Sequence, residues 1–190
     1  MEYSVKPKRL GERRIIHYPQ KRIIGLYVIF MEELFGGLIF FYVILIIAII
    51  GYTIYKKEKI NQQIDDLANN VLEMTPEEFM KMRATSFGGR GRLSYALTKN
   101  FAGVYILFNQ SKNMYYVGQG KQVLNRVNAH FTGKGNGDVY ADYKYGDSFT
   151  IKMIALENSG FDTLNELERH TIARYNAFSK GYNKTRGNRN

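Results

Sequence analysis

The chain has 190 residues, a formal net charge of +10 and a pI near 9.6. That is room for one ordinary domain plus an appendage, and the charge favours an anionic partner, either nucleic acid or an acidic membrane surface. The absence of cysteine excludes disulfides and thiolate-ligated zinc.

Residues 1–22 are basic and without periodicity, with Lys6, Lys8, Arg9, Arg13, Arg14, Lys21 and Arg22 against Glu2 and Glu12. They read as a tail whose charge can attach to anionic lipid. The apolar stretch 23–31 reads either as an interfacial segment or as part of a short re-entrant hairpin, and completes a segment 1–33.

From Leu34 to Tyr55 there are 22 residues without a charge. About 20 apolar helical residues cross the hydrocarbon of a bilayer. The apolarity runs all round, unlike a core helix, and no small-residue cleavage site follows, unlike a signal peptide. Residues 34–55 are therefore expected to form a single transmembrane helix, with late tyrosines as an interfacial belt and Lys56–Lys57 as a basic anchor. Lys56, Lys57 and Lys59 argue for a cytoplasmic carboxyl side, while the basic amino-terminal tail argues the other way.

Residues 56–98 read as a helical connector and linker. Ile60, Ile64, Leu67, Val71 and Met74 recur at spacings of 4, 3, 4 and 3, the seam of a short coiled coil. Two readings of that seam stand: a homodimer through residues 56–74, or packing onto the chain's own domain. Thr75-Pro76-Glu77-Glu78 is a capping box that starts a short helix ending near Ala84. The run 86–92, rich in glycine and carrying Arg90 and Arg92, reads as a flexible linker, with a domain boundary between residues 86 and 98.

Residues 99–190 form the expected catalytic or binding domain. Gly103–Phe108 and Met114–Gly118 are apolar strands around a polar turn, a β-hairpin that brings Tyr105 and Tyr116 close together. Lys121–Phe131 is expected to be a helix with Arg126 and His130 on one face. Residues 132–147 read as a polar loop, 148–156 as a third strand, and 164–178 as a helix carrying Glu168, with Asn183 in the basic tail. The expected fold is α/β (α+β): a small three-stranded antiparallel sheet flanked by helices.

Gly103-Val104-Tyr105, Tyr116-Val117-Gly118, Arg126 ten residues beyond Tyr116, His130 one turn later, Glu168 and Asn183 stand in an order that resembles the GIY-YIG nuclease family. The resemblance spans roughly residues 100–187 and implies a nuclease in which Tyr105, Tyr116, Arg126, His130, Glu168 and Asn183 are catalytic and Glu168 binds the metal, Mg²⁺ or Mn²⁺. A histidine that some relatives carry in the loop after the first helix is replaced here by Tyr140, Tyr143 and Lys144.

Phosphodiester hydrolysis requires an activated water, stabilised charge on the phosphorane and a neutralised leaving oxygen. Tyr105 would activate the water with Tyr116 or His130 assisting, Arg126 would hold phosphate oxygens, and Glu168 would hold the ion. Taken alone, each residue has an ordinary structural use: Tyr105 and Tyr116 in the sheet, Arg126 as a solvated charge, Asn183 as a turn cap, with Glu166 a nearby decoy for Glu168. Lys121, Lys134, Lys144, Lys180, Lys184, Arg186 and Arg189 are candidate phosphate contacts, which set affinity rather than sequence preference.

The expectation is a single-pass, membrane-anchored, metal-dependent DNA endonuclease facing the cytoplasm, with DNA and the lipid bilayer as partners. DNA entering the cell, from phage or plasmid, is one target such a tether suits. The alternatives are an inactive nuclease-fold module that tethers DNA to the membrane, and a scaffold whose basic domain binds anionic lipid.

Overall fold

A computed structural model describes residues 20–87, 93–94 and 99–188. The basic tail 1–19, Arg90, Arg92 and Arg189 lie outside the described residues. Two compact units are present, Met1–Thr53 and Ile54–Asn190.

Helix α1 (Gln20–Asn69) already runs as helix from Gln20, so the stretch 23–31 belongs to the same continuous helix rather than to a re-entrant hairpin. The helix is long and apolar enough to cross a membrane. Its large apolar side chains, among them Leu38, Phe40, Phe41, Ile44, Ile47 and Tyr52, are exposed. Over residues 34–55 it rises about 33 Å at 1.5 Å per residue, close to the thickness of a hydrocarbon core.

The second unit is built on a three-stranded antiparallel sheet in the order β4-β3-β5, from β3 (Gly103–Asn109), β4 (Met114–Gly120) and β5 (Phe149–Ala155). Strand β3 is central because its run Val104-Tyr105-Ile106-Leu107 is apolar on both faces, and all four side chains are buried. Tyr105 and Leu107 pack on one face with Val123, Leu124, Val127 and Ile151. On the other, Val104 and Ile106 pack with Val117, Ile154, Leu167 and Ile172.

The connector belongs to this unit, which spans Ile54–Asn190. Helix α2 (Pro76–Ala84) starts at Thr75 with both halves of the capping box made: Glu78 N–H donates to Thr75 Oγ1 at 3.2 Å and Thr75 N–H to Glu78 Oε2 at 2.8 Å. Phe79 and Met74 enter the core, and Met74 exchanges backbone hydrogen bonds with Ile151. The 4-3 seam is used within the chain. Ile64 and Ala68 are buried, Leu67 and Val71 pack against the core, and α1 ends at Asn69 instead of running on to Met74. The packing alternative thus accounts for the seam without a second copy. In the linker, β1 (Ser86–Phe87) pairs antiparallel with β2 (Leu93–Ser94).

Helix α3 spans Val123–Phe131, starting two residues later than expected. The expected loop 132–147 holds a further helix, α4 (Gly137–Lys144), capped by Asn136, whose side-chain oxygen accepts from Asp138 and Val139 N–H. Its glycine and tyrosine content hid it, and Val139 is the residue it buries. Helix α5 (Leu164–Arg174) ends earlier than expected, before the Asn176 turn at φ +52°.

Candidate active site

Tyr105 stands opposite Gly118 in the β3–β4 register, and Tyr116 opposite Leu107. Residues two apart on a strand share a face, so the tyrosines are diagonal neighbours with ring centroids 6.2 Å apart. Gly118 makes room for this pair, because the Tyr105 phenol crosses its Cα and any Cβ there would overlap the phenol oxygen. The glycine of the second motif is a steric requirement of the tyrosine in the first.

Val123, Leu124, Val127 and Phe131 fix α3 against the same face of the sheet. Arg126 and His130, one turn apart, are thereby brought to the tyrosines. His130 is 1% exposed, its Nε2 lies 2.9 Å from the Tyr105 oxygen, and its ring is 4.7 Å from that of Tyr116. Arg126 is exposed and within electrostatic reach of both phenols and of His130.

Three causes set the protonation of this cluster. Burial, reinforced by the Arg126 charge, lowers the His130 pKa to about 4, so the ring is neutral near pH 7. Its Nδ1 accepts a hydrogen bond from Asn136 N–H at 2.8 Å. The ring proton therefore resides on Nε2, and His130 donates to Tyr105. Burial, and secondarily the neighbouring Tyr116, pushes the Tyr105 phenol up, with Arg126 opposing. Burial raises Tyr116 as well, again against Arg126.

Glu168 reaches the same place from α5. It is 8% exposed, Gln119 Nε2 donates to its Oε2 at 2.9 Å, and its charge acts on Tyr116. Gln119 Nε2 also donates to Asn165 Oδ1 at 2.7 Å. Glu166 sits in the first turn of α5, with Asp162 N–H on its Oε2.

Among the described residues no group of three or more His, Cys, Asp and Glu side chains could enclose a metal. A magnesium ion does not require one, since it keeps several waters and takes one or two carboxylates. Glu168 suits that demand, because its Oε1 accepts no hydrogen bond from the described residues and its Oε2 accepts from Gln119.

Asn183 does not join the cluster. Its Oδ1 accepts from Val117 N–H at 2.9 Å and its Nδ2 donates to Val117 C=O at 2.7 Å. Both polar ends of the side chain hold the outer edge of β4, the strand that carries Tyr116.

Of the candidate phosphate contacts, Lys121 shares an open groove with Gln119, Asn125 and Arg126 and leads toward the cluster. Lys134 and Lys144 are exposed on the far ends of α3 and α4. Lys184 pairs with Asp138 at 2.7 Å, and Arg186 lies over the Phe178 ring at 5.3 Å.

Gln119, Gly135 and Asn136 were not singled out from the sequence. A Cβ on Gly135 would come within 2.6 Å of His130 Nδ1, so that glycine lets the loop close over the imidazole. The Asn136-Gly137-Asp138 run was a readable helix start, with Asn as cap and an acid in the first turn. Gln119 gave no such signal, since its partners lie 46 and 49 residues away.

Residues 101–183 match the family model of the GIY-YIG catalytic domain. No curated protein and no solved structure matches the chain.

Proposed function

Because residues 101–183 are a GIY-YIG catalytic domain, whose family implies nuclease-type activity, we propose that this protein is a membrane-anchored, Mg²⁺-dependent endonuclease that hydrolyses DNA phosphodiester bonds. The observation that carries the reading is the convergence of Tyr105, Tyr116, Arg126, His130 and Glu168, from two strands and two helices, on one place.

Tyr105 is the group assigned to take the proton from water. Burial holds the Tyr105 phenol above its ordinary pKa, and His130 Nε2–H and the Arg126 charge oppose that by favouring negative charge on its oxygen, the phenolate that a base must be. His130 cannot itself be the base, since Nε2 holds the ring proton and Nδ1 is held by Asn136. Tyr116, less buried than Tyr105, orients the water and shares the proton. Arg126 binds the phosphate oxygens as a permanently charged fork. Glu168, held by Gln119, would bind the magnesium ion, which when bound neutralises charge at the leaving 3′-oxygen.

The apolar helix supports a single-pass anchor, and Lys56, Lys57 and Lys59 support a cytoplasmic domain. A tethered nuclease meets DNA at the membrane, which suits a role against entering phage or plasmid DNA. Nothing in this reading calls for a homodimer through residues 56–74.

The test is cleavage of a supercoiled plasmid by the full chain in detergent with Mg²⁺, beside its Glu168→Gln variant. Nicking by the first and none by the second is expected. Binding of DNA by both with no turnover in any divalent metal would instead favour the inactive tethering module.

A further inference from the structure

The carboxyl half of α5 and the chain that follows it, through Phe178 and Ser179 to Arg186 and Gly187, line a cavity of about 370 Å³. Ile172, 2% exposed, lies at its floor and Asn176 offers a polar edge. Arg169 and Arg186 line it together, and neither forms an ion pair among the described residues. Two unpaired guanidinium groups on one cavity repel each other unless an anion lies between them. Phe178 forms a wall, covered in part by Arg186 and still 41% exposed.

The cavity is held in place rather than loosely draped. Gly187, at φ +95°, presses onto α5 so closely that a Cβ would lie 3.1 Å from Arg169 Cα. The same segment is anchored upstream by Asn183 on Val117.

We propose that this cavity is a nucleotide subsite for the DNA strand, with a phosphate held between Arg169 and Arg186 and a base set against Phe178. It would take a nucleotide of the bound strand, and so rests on the nuclease reading. An apolar floor with an aromatic wall accepts any base, while the arginines accept any phosphate, so the subsite adds affinity without sequence preference.

The test uses the full chain in detergent with Glu168→Gln to prevent turnover, and a short fluorescent DNA duplex titrated at several salt concentrations. The Arg169→Ala/Arg186→Ala double variant is expected to bind roughly tenfold more weakly, with a salt slope shallower by about 1 to 2. Phe178→Ala should weaken binding severalfold and leave the slope unchanged, because stacking releases no counterions. Arg186→Lys, which keeps the charge, should keep the slope.

Unaltered affinity and slope in a double variant that melts like its parent would overturn the subsite. So would loss of binding to phosphatidylserine vesicles with DNA binding intact, which would give the cavity to a lipid headgroup. If these DNA shifts appear but the wild-type chain never cuts, the subsite stands and only the hydrolytic reading fails.

Discussion

His130 donates to Tyr105, and not the reverse, because Asn136 N–H occupies the opposite side of the imidazole. A hydrogen bond to a charged oxygen contributes about 1.5–3 kcal/mol, and this one would act once Tyr105 becomes a phenolate. His130→Ala should therefore lower kcat by about 10- to 100-fold with little change in KM. His130→Gln, whose amide can still donate, should recover much of that loss. Equal loss in both variants would show that proton acceptance, not donation, is what the ring provides.

Gly118→Ala tests the steric partnership of the two tyrosine motifs. The added methyl must displace a phenol that is fully buried, and overpacking of this kind costs about 1–3 kcal/mol. A lowered Tm together with lost cleavage is the expected outcome, checked by a thermal melt and a nicking assay. Gly137→Ala, whose Cβ would enter open space, is the control that should melt normally.

Gln119 should govern metal affinity through Glu168. Partners that orient a metal ligand typically account for 10- to 100-fold in metal affinity or activity. Gln119→Ala should raise the Mg²⁺ concentration for half-maximal cleavage by about tenfold, with activity restored at saturating metal. A kcat defect that no added Mg²⁺ repairs would count against this role.

Acid should unfold the domain through His130. Its pKa is about 4 in the folded state and 6.5 as the ordinary value, so the unfolded chain binds the extra proton between these limits. The contribution is fully present above pH 6.5 and is lost as pH falls toward 4, amounting to about 3 kcal/mol. His170, also lowered by burial, acts in the same direction. Melts of wild type and His130→Gln should diverge at pH 7 and converge toward pH 4; parallel curves would remove the His130 contribution.

The connector is part of the core, which bears on any shortened form of the protein. A chain beginning at residue 95 would lack Ile64, Met74 and Phe79, all buried. Such a chain should show no cooperative melt, whereas one beginning at Ile54 should. Phe79→Ala within the full chain is expected to cost about 3–5 kcal/mol.

The apolar helix, the hairpin and the capping box could be read from the chain, because each depends on local periodicity or on short spacing, whereas the order Tyr105, Tyr116, Arg126, His130, Glu168 stood out through its resemblance to a family. Composition concealed α4, since one buried valine in a helix of eight residues gives too weak a period to stand out. The 4-3 seam was legible as apolar but not as to its occupant, because a helix face records that something covers it and not what. Asn183 likewise had the right place in the order, and only the folded chain showed its amide on the Val117 backbone. Local spacing placed the elements, and the family resemblance marked which of their residues could act. Long-range packing decided which of them meet, which way the His130 proton points and which residue holds Glu168, since those depend on contacts between groups far apart along the chain.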